Sequence, residues 1–173
     1  MQSVHDLEWL NSLAAEEAVK ELRQCCGSRR WAEQISNDRP YATVAALLAR
    51  ADRVWWSLTP DDWLEAFRSH PKIGEKKAGD NVSTQARQWS GQEQAGVSSA
   101  PQQTIHSLAA LNSAYEQKFG FIFIICATGK SSDEMLAALQ ERLQHDADTE
   151  LRLAATEQAK ITELRLKKLL TPA

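Results

Sequence analysis

Along most of the chain apolar residues recur at three- and four-residue spacing, the period of an α-helix, and polar punctuation separates the segments. The first is "LAAEEAVKELRQCC", where Leu13, Val19 and Leu22 share a side, Ser12 is the expected cap and Gly27 the stop. Ser28 opens a shorter pattern, "RRWAEQI", which the turn-forming "SNDRP" ends. "YATVAALLARADRVWWSL" is rich in Ala and Leu and reads as a buried helix. Thr59 and Pro60 then supply a capping hydroxyl and a first-position proline, with Asp61 and Asp62 at the positive end. That helix is predicted to end close to Ser69, because Pro71 disfavours helical geometry at His70.

Residues 72–89 are polar and weakly periodic, which predicts one long loop over about 71–89. Helical patterning resumes at "SGQEQAGV" and predicts a long helix from Pro101 to about Lys118. Ser131 and Glu134 form a capping box before "SDEMLAALQERLQ", and a last helix is expected from about Asp148 to Leu170. The run 119–126 has strand length, but a lone strand has nothing to pair with. The prediction is an all-α fold: one compact multi-helix domain over 1–173, with a buried non-sheet segment at about 119–126.

Composition changes this picture little. The 173 residues are 43% hydrophobic and 25% charged, ordinary for a globular protein, and can fill one sizeable core. A net charge of −3 offers no basic field for nucleic acid. The six tryptophans are not interleaved with a basic stripe and read as core. No apolar run approaches the ~20 residues of a membrane helix. Three cysteines, two of them adjacent, suit neither a disulfide framework nor a metal knuckle and read as reduced thiols. "MQSVHDLEWL" lacks a basic-then-apolar leader and "TPA" is no peroxisomal signal, so a cytoplasmic protein is expected.

Candidate chemistry begins with His70 in "FRSHPKIGEKKAG". The following proline restricts the backbone on both sides, and an imidazole of pKa ~6.5 donates or accepts near neutrality. The bland alternative is a helix-ending histidine facing water. In "WSGQEQAG", Ser90 and Glu93 fit a capping box; the competing reading turns Glu93 towards a ligand at a helix N-terminus. Arg165 sits at the edge of an apolar stripe, where arginines commonly snorkel to water, although its fork also suits a carboxylate or urea-like carbonyl. His5 and His145 show no partner and His106 lies within a helix; none has zinc-site spacing. There is no P-loop, dinucleotide fingerprint or nucleophile elbow.

Taken in order, "FRSHPKIGEK", "WSGQEQAGV", "YEQKFGFIFIICATGKSSDEML" and "ELRLAATEQAKITELRLKKL" resemble the OHCU decarboxylase family over about residues 8–170. The resemblance implies an all-helical enzyme, commonly homodimeric and without metal or organic cofactor. Such enzymes convert 2-oxo-4-hydroxy-4-carboxy-5-ureidoimidazoline (OHCU) to (S)-allantoin, the last step of urate oxidation. It implies His70 and Glu93 as catalytic groups. Pro71, Ser90, Gln94 and the main chain of Phe121, Ile122, Phe123, Ile124 and Ile125 are implied as substrate-binding, with Phe121 and Phe123 as an apolar lid. The family's last-helix arginine falls on Arg165, with Arg152 and nearby lysines as alternatives. Two other readings stand beside it: a hydrolase of a cyclic ureide, and a non-catalytic helical interaction module.

Overall fold

The computed structural model describes residues 5–74 and 84–170. Ten α-helices run through them and no strand forms among the described residues, so the all-α expectation holds. The helices are α1 (Leu7–Ser12), α2 (Ala15–Cys25), α3 (Arg29–Asn37), α4 (Val44–Ser57) and α5 (Pro60–Phe67), then α6 (Thr84–Glu93), α7 (Ala95–Ser98), α8 (Gln102–Phe119), α9 (Ser132–Arg142) and α10 (Ala147–Leu169). They pack as two units: the described residues of Met1–Ala66 with Ala159–Ala173, and those of Phe67–Gln158.

In the first unit, the helix starts follow from short polar side chains. Ser28 accepts from the Trp31 amide at 3.3 Å, and Thr43 from that of Ala46 at 3.0 Å. Ser12 does not cap α2 as expected. It ends α1, an unforeseen helix capped by Asp6, and its hydroxyl donates to the Trp9 carbonyl at 2.7 Å. α2 starts at Ala15 without a side-chain cap, and Glu16 and Glu17 complement its positive end instead. Leu22, Trp31, Ile35, Leu47, Val54 and Leu166 are buried. Indole N–H groups are satisfied inside this core: Trp31 Nε1 donates to Ala51 O and Trp63 Nε1 to Trp55 O, each at 3.0 Å.

The second unit corrects the expected loop at 71–89. Residues 84–89 are helical, the first part of α6, while 75–83 lie outside the described residues. The cause is legible afterwards. Ala86, Trp89, Ser90 and Glu93 are the buried residues of α6, an i, i+3, i+4, i+7 stripe in which two of the four positions are polar. A hydrophobicity pattern therefore misses it.

α8 ends at Gly120, whose φ of +80° suits glycine, and the Gly120 amide donates to Glu116 O at 2.8 Å. From there 120–126 runs without helix or strand, as expected, and Phe123 and Ile125 pack with Leu108, Tyr115 and Met135. The capping box at Ser131 and Glu134 is present. Asp146 accepts the Thr149 amide at 2.8 Å before α10, and that bond holds its carboxyl below the ordinary value.

Candidate active site

Pro71 removes an amide donor and bars helical geometry at His70, so α5 stops at Phe67 and the chain turns. The turn is then pinned residue by residue within the second unit. His70 Nε2 lies 2.6 Å from Oε1 of Gln158, a fully buried residue of α10. Lys72 pairs with Glu116 of α8 at 2.7 Å. Asn112, also of α8, donates from Nδ2 to Ile73 O at 3.0 Å, and the Gly74 amide donates to Gln94 Oε1 at 3.1 Å. A half-buried imidazole on so constrained a backbone has little freedom to reorient. Because an amide oxygen only accepts, this pairing selects the tautomer in which His70 donates from Nε2 to Gln158.

Glu93 is buried at 8% exposure, and Ser90 at 6%. The expected capping box is not there. Both residues lie in the last turn of α6 rather than at a helix start, and Ser90 O accepts the Gln94 amide at 3.0 Å. The reading of a helix N-terminus offering amides to an anion falls with it. A carboxylate at a helix C-terminus faces the negative end of the dipole, so helix stability does not account for Glu93. Gln94, expected to read substrate carbonyls, uses its own amide oxygen on Gly74 and so ties the Glu93 turn to the His70 corner.

The 120–126 segment closes the arrangement. Burial raises the Cys126 thiol, with the charges of Glu157 and Glu93 pushing the same way against Lys130 and the Thr128 amide. Glu93 therefore lies within electrostatic reach of Cys126, as does Glu157, the neighbour of His70's partner. Ile124 O, expected to be open to a ligand, accepts from Arg142 Nη1 at 2.6 Å. Among the described residues, the amides of 121–125 and the carbonyls of Phe121, Ile122, Phe123 and Ile125 have no protein partner. Phe121 is half-buried against Phe67, with ring centroids 5.6 Å apart. Phe123 is core rather than lid, at 2% exposure.

Arg165 belongs to the first unit. It does not snorkel: it is 2% exposed and donates from Nη1 to Gln24 O at 3.2 Å. His145 and His5 each have a contact that went unforeseen: His145 Nδ1 lies 3.0 Å from Glu150, and His5 stacks on Trp9. Among the described residues no group of three His, Cys, Asp or Glu is placed to hold a metal ion. Gln158, Asn112 and Arg142 went unrecognised in the sequence. A signal existed for Gln158: Glu150, Ala154, Gln158, Thr162 and Arg165 recur along the buried face of α10, and polar residues on such a face are unusual.

The sequence model for OHCU decarboxylase matches residues 11–167. The chain is 40% identical over 158 residues to the uric acid degradation bifunctional protein TTL of Arabidopsis thaliana, covering 91% of this chain and 48% of that protein. It thus spans about half the length of that relative, and 32% of a bifunctional Bacillus protein to which it is 28% identical. The 2-oxo-4-hydroxy-4-carboxy-5-ureidoimidazoline decarboxylase of Haloferax volcanii is matched nearly end to end: 29% identity over 92% of this chain and 93% of that protein. A crystal structure of an OHCU decarboxylase in the presence of (S)-allantoin superposes with a TM-score of 0.75 at 38% identity, covering 87% of this chain and 96% of that one. With the family model spanning both units and every candidate residue, the chain belongs to the OHCU decarboxylase family.

Proposed function

We propose that this chain removes carbon dioxide from 2-oxo-4-hydroxy-4-carboxy-5-ureidoimidazoline and releases (S)-allantoin. One observation carries the reading: residues 11–167, the span of the family match, contain the pinned His70 corner and the buried Glu93 together. The substrate's own ring can receive the electron pair, so the reaction needs no organic electron sink. The pair from the breaking C4–carboxylate bond forms C4=C5 while the ring C=N pair moves onto its nitrogen, which takes a proton. The 4-hydroxyl then gives up its proton as C4=O forms and one face of C5 receives one, so that one proton is taken up in all for each CO2 released.

The protein's tasks are then geometry and proton delivery. Holding the carboxylate perpendicular to the ring system supplies several kcal/mol of the barrier. His70, held through Nε2 by Gln158, contacts the 4-hydroxyl or carboxylate. Glu93 contacts the ring or ureido N–H groups and assists stereospecific protonation. Pro71 and Ser90 shape the site around them, and the unpaired backbone groups of Phe121, Ile122, Phe123 and Ile125 match a flat ureide edged with donors and acceptors. Arg165 is retained as a reader of ureide carbonyls on the family resemblance alone. On the same ground the enzyme is a homodimer that works without a cofactor.

The test uses freshly generated OHCU and follows both CO2 and the circular-dichroism signal of (S)-allantoin above the uncatalysed background. Wild type is expected to accelerate both together. His70→Asn and Glu93→Gln are expected to keep the fold and lose about 10²–10⁴-fold in turnover. Ring opening without CO2 identifies a ureide hydrolase instead, and a wild-type rate for His70→Asn removes the histidine from the chemistry.

A further inference from the structure

Glu150 near the start of α10 is fully buried, and polar groups from three other places in the second unit converge on it. Arg142 of α9, 7% exposed, places Nε 3.1 and 3.0 Å from Oε1 and Oε2, and Nη2 2.9 Å from Oε2. The Tyr115 hydroxyl of α8 donates to Oε2, and His145 Nδ1 stands 3.0 Å from Oε1. The spare arm of Arg142, Nη1, donates to Ile124 O at 2.6 Å, and the guanidinium lies over the Phe123 ring, 4.6 Å from its centroid. Buried ion pairs are poor stabilisers compared with well-packed apolar residues. What this one does is hold a carbonyl.

That carbonyl sets the direction of its neighbour. The Ile124–Ile125 peptide is trans and planar, so its C=O and N–H point opposite ways. With Ile124 O drawn to Arg142, the Ile125 N–H is turned to the other side of the segment. Ile125 is 5% exposed, and its amide has no protein partner among the described residues. Buried amides nearly always have a partner. The adjoining Cys126 already senses Glu93 and Glu157, and Glu157 precedes the residue that holds His70.

We propose that Arg142, locked by Glu150, Tyr115 and His145, is a positioning residue that presents the Ile125 N–H as a donor to a carbonyl or carboxylate oxygen of the ligand. That the ligand is a ureide rests on the decarboxylase reading above. The arginine never touches the ligand; it acts through the peptide it holds.

The probe is (S)-allantoin added to 15N-labelled protein, with OHCU turnover measured in parallel. In wild type the Ile125 amide resonance is expected to move downfield on saturation. The paired variant Arg142→Met with Glu150→Leu removes both charges together and leaves none stranded. It is expected to fold, to lose the Ile125 response, and to fall about 100-fold in kcat/KM. A merely structural pair would alter melting and leave that resonance responsive. A wild type that turns over OHCU without any Ile125 shift overturns this proposal alone, as does a folded paired variant with wild-type kcat/KM. A wild type whose Ile125 amide responds but which releases no CO2 overturns the decarboxylase reading and supports this one. One with neither response nor turnover overturns both. If the paired variant does not fold, Arg142→Lys takes its place, since it keeps the charge beside Glu150 and loses the arm on Ile124 O. A folded Arg142→Lys protein with a wild-type Ile125 response and wild-type kcat/KM overturns the proposal.

Discussion

Replacing Gln158 with leucine isolates what one buried amide does for His70. Leucine is close to glutamine in size, and His70 is only half-buried, so water can accept from its Nε2 and the fold should persist. The imidazole loses the group that sets its tautomer and direction. Turnover is expected to fall about 10- to 100-fold with a nearly unchanged melting temperature; equal rates would show that Pro71 and the pinned backbone suffice. At this scale the sequence was half legible. His70 announces itself through the proline beside it, which is local chemistry. Gln158 is 88 residues away in the chain, and only the packing of α10 brings it within 2.6 Å. Glu93 was identified for the wrong place: the spacing Ser90 to Glu93 suits a helix start, yet the same four residues also make one turn inside a helix, and here they end one.

Among the elements, α7 is the short piece whose seating controls how the Glu93 turn meets the start of α9. Gly96 is the contact point. A Cβ there would lie 2.3 Å from the Lys130 carbonyl oxygen and 3.3 Å from Ser131 Cα, both backbone atoms that cannot swing aside. Gly96→Ala is therefore expected to destabilise by about 1–3 kcal/mol, read as a lower urea midpoint, whereas Gly91→Ala meets nothing within 4 Å and should be neutral or slightly stabilising. A midpoint for Gly96→Ala equal to wild type would mean that α7 can lift away without cost. The long apolar helices and the capping box at Ser131 were readable because pattern and cap agree. α6 was not, since its buried stripe spends two positions on Ser90 and Glu93. A helix whose inner face carries polar site residues loses the hydrophobic signal that would reveal it.

For the molecule as a whole, alkaline pH is the condition under which both units should fail. Cys26 and Tyr41 in the first unit are pushed up to about 12 from 9.0 and 10.0, in each case chiefly by burial, with the Asp38 charge adding to Tyr41. In the second unit burial raises Cys126, and burial followed by the bond to Glu150 raises Tyr115 well above the ordinary phenol value. All four are neutral when protonated. Their folded values exceed their unfolded ones, so above about pH 9 the unfolded chain releases protons that the folded chain keeps, and stability falls as pH rises. Below that point the contribution is complete and pH has no hold on these groups. Denaturant midpoints in reducing buffer should be flat from about pH 7 to 8.5 and then drop, each fully engaged group adding up to ~1.4 kcal/mol per pH unit. Tyr41→Phe should reduce the slope above about pH 10 while leaving the neutral midpoint within the cost of its lost bond to Ile35 O. A midpoint level through about pH 10.5, or a slope indifferent to Tyr41→Phe, would show that these side chains reach solvent in the folded protein after all.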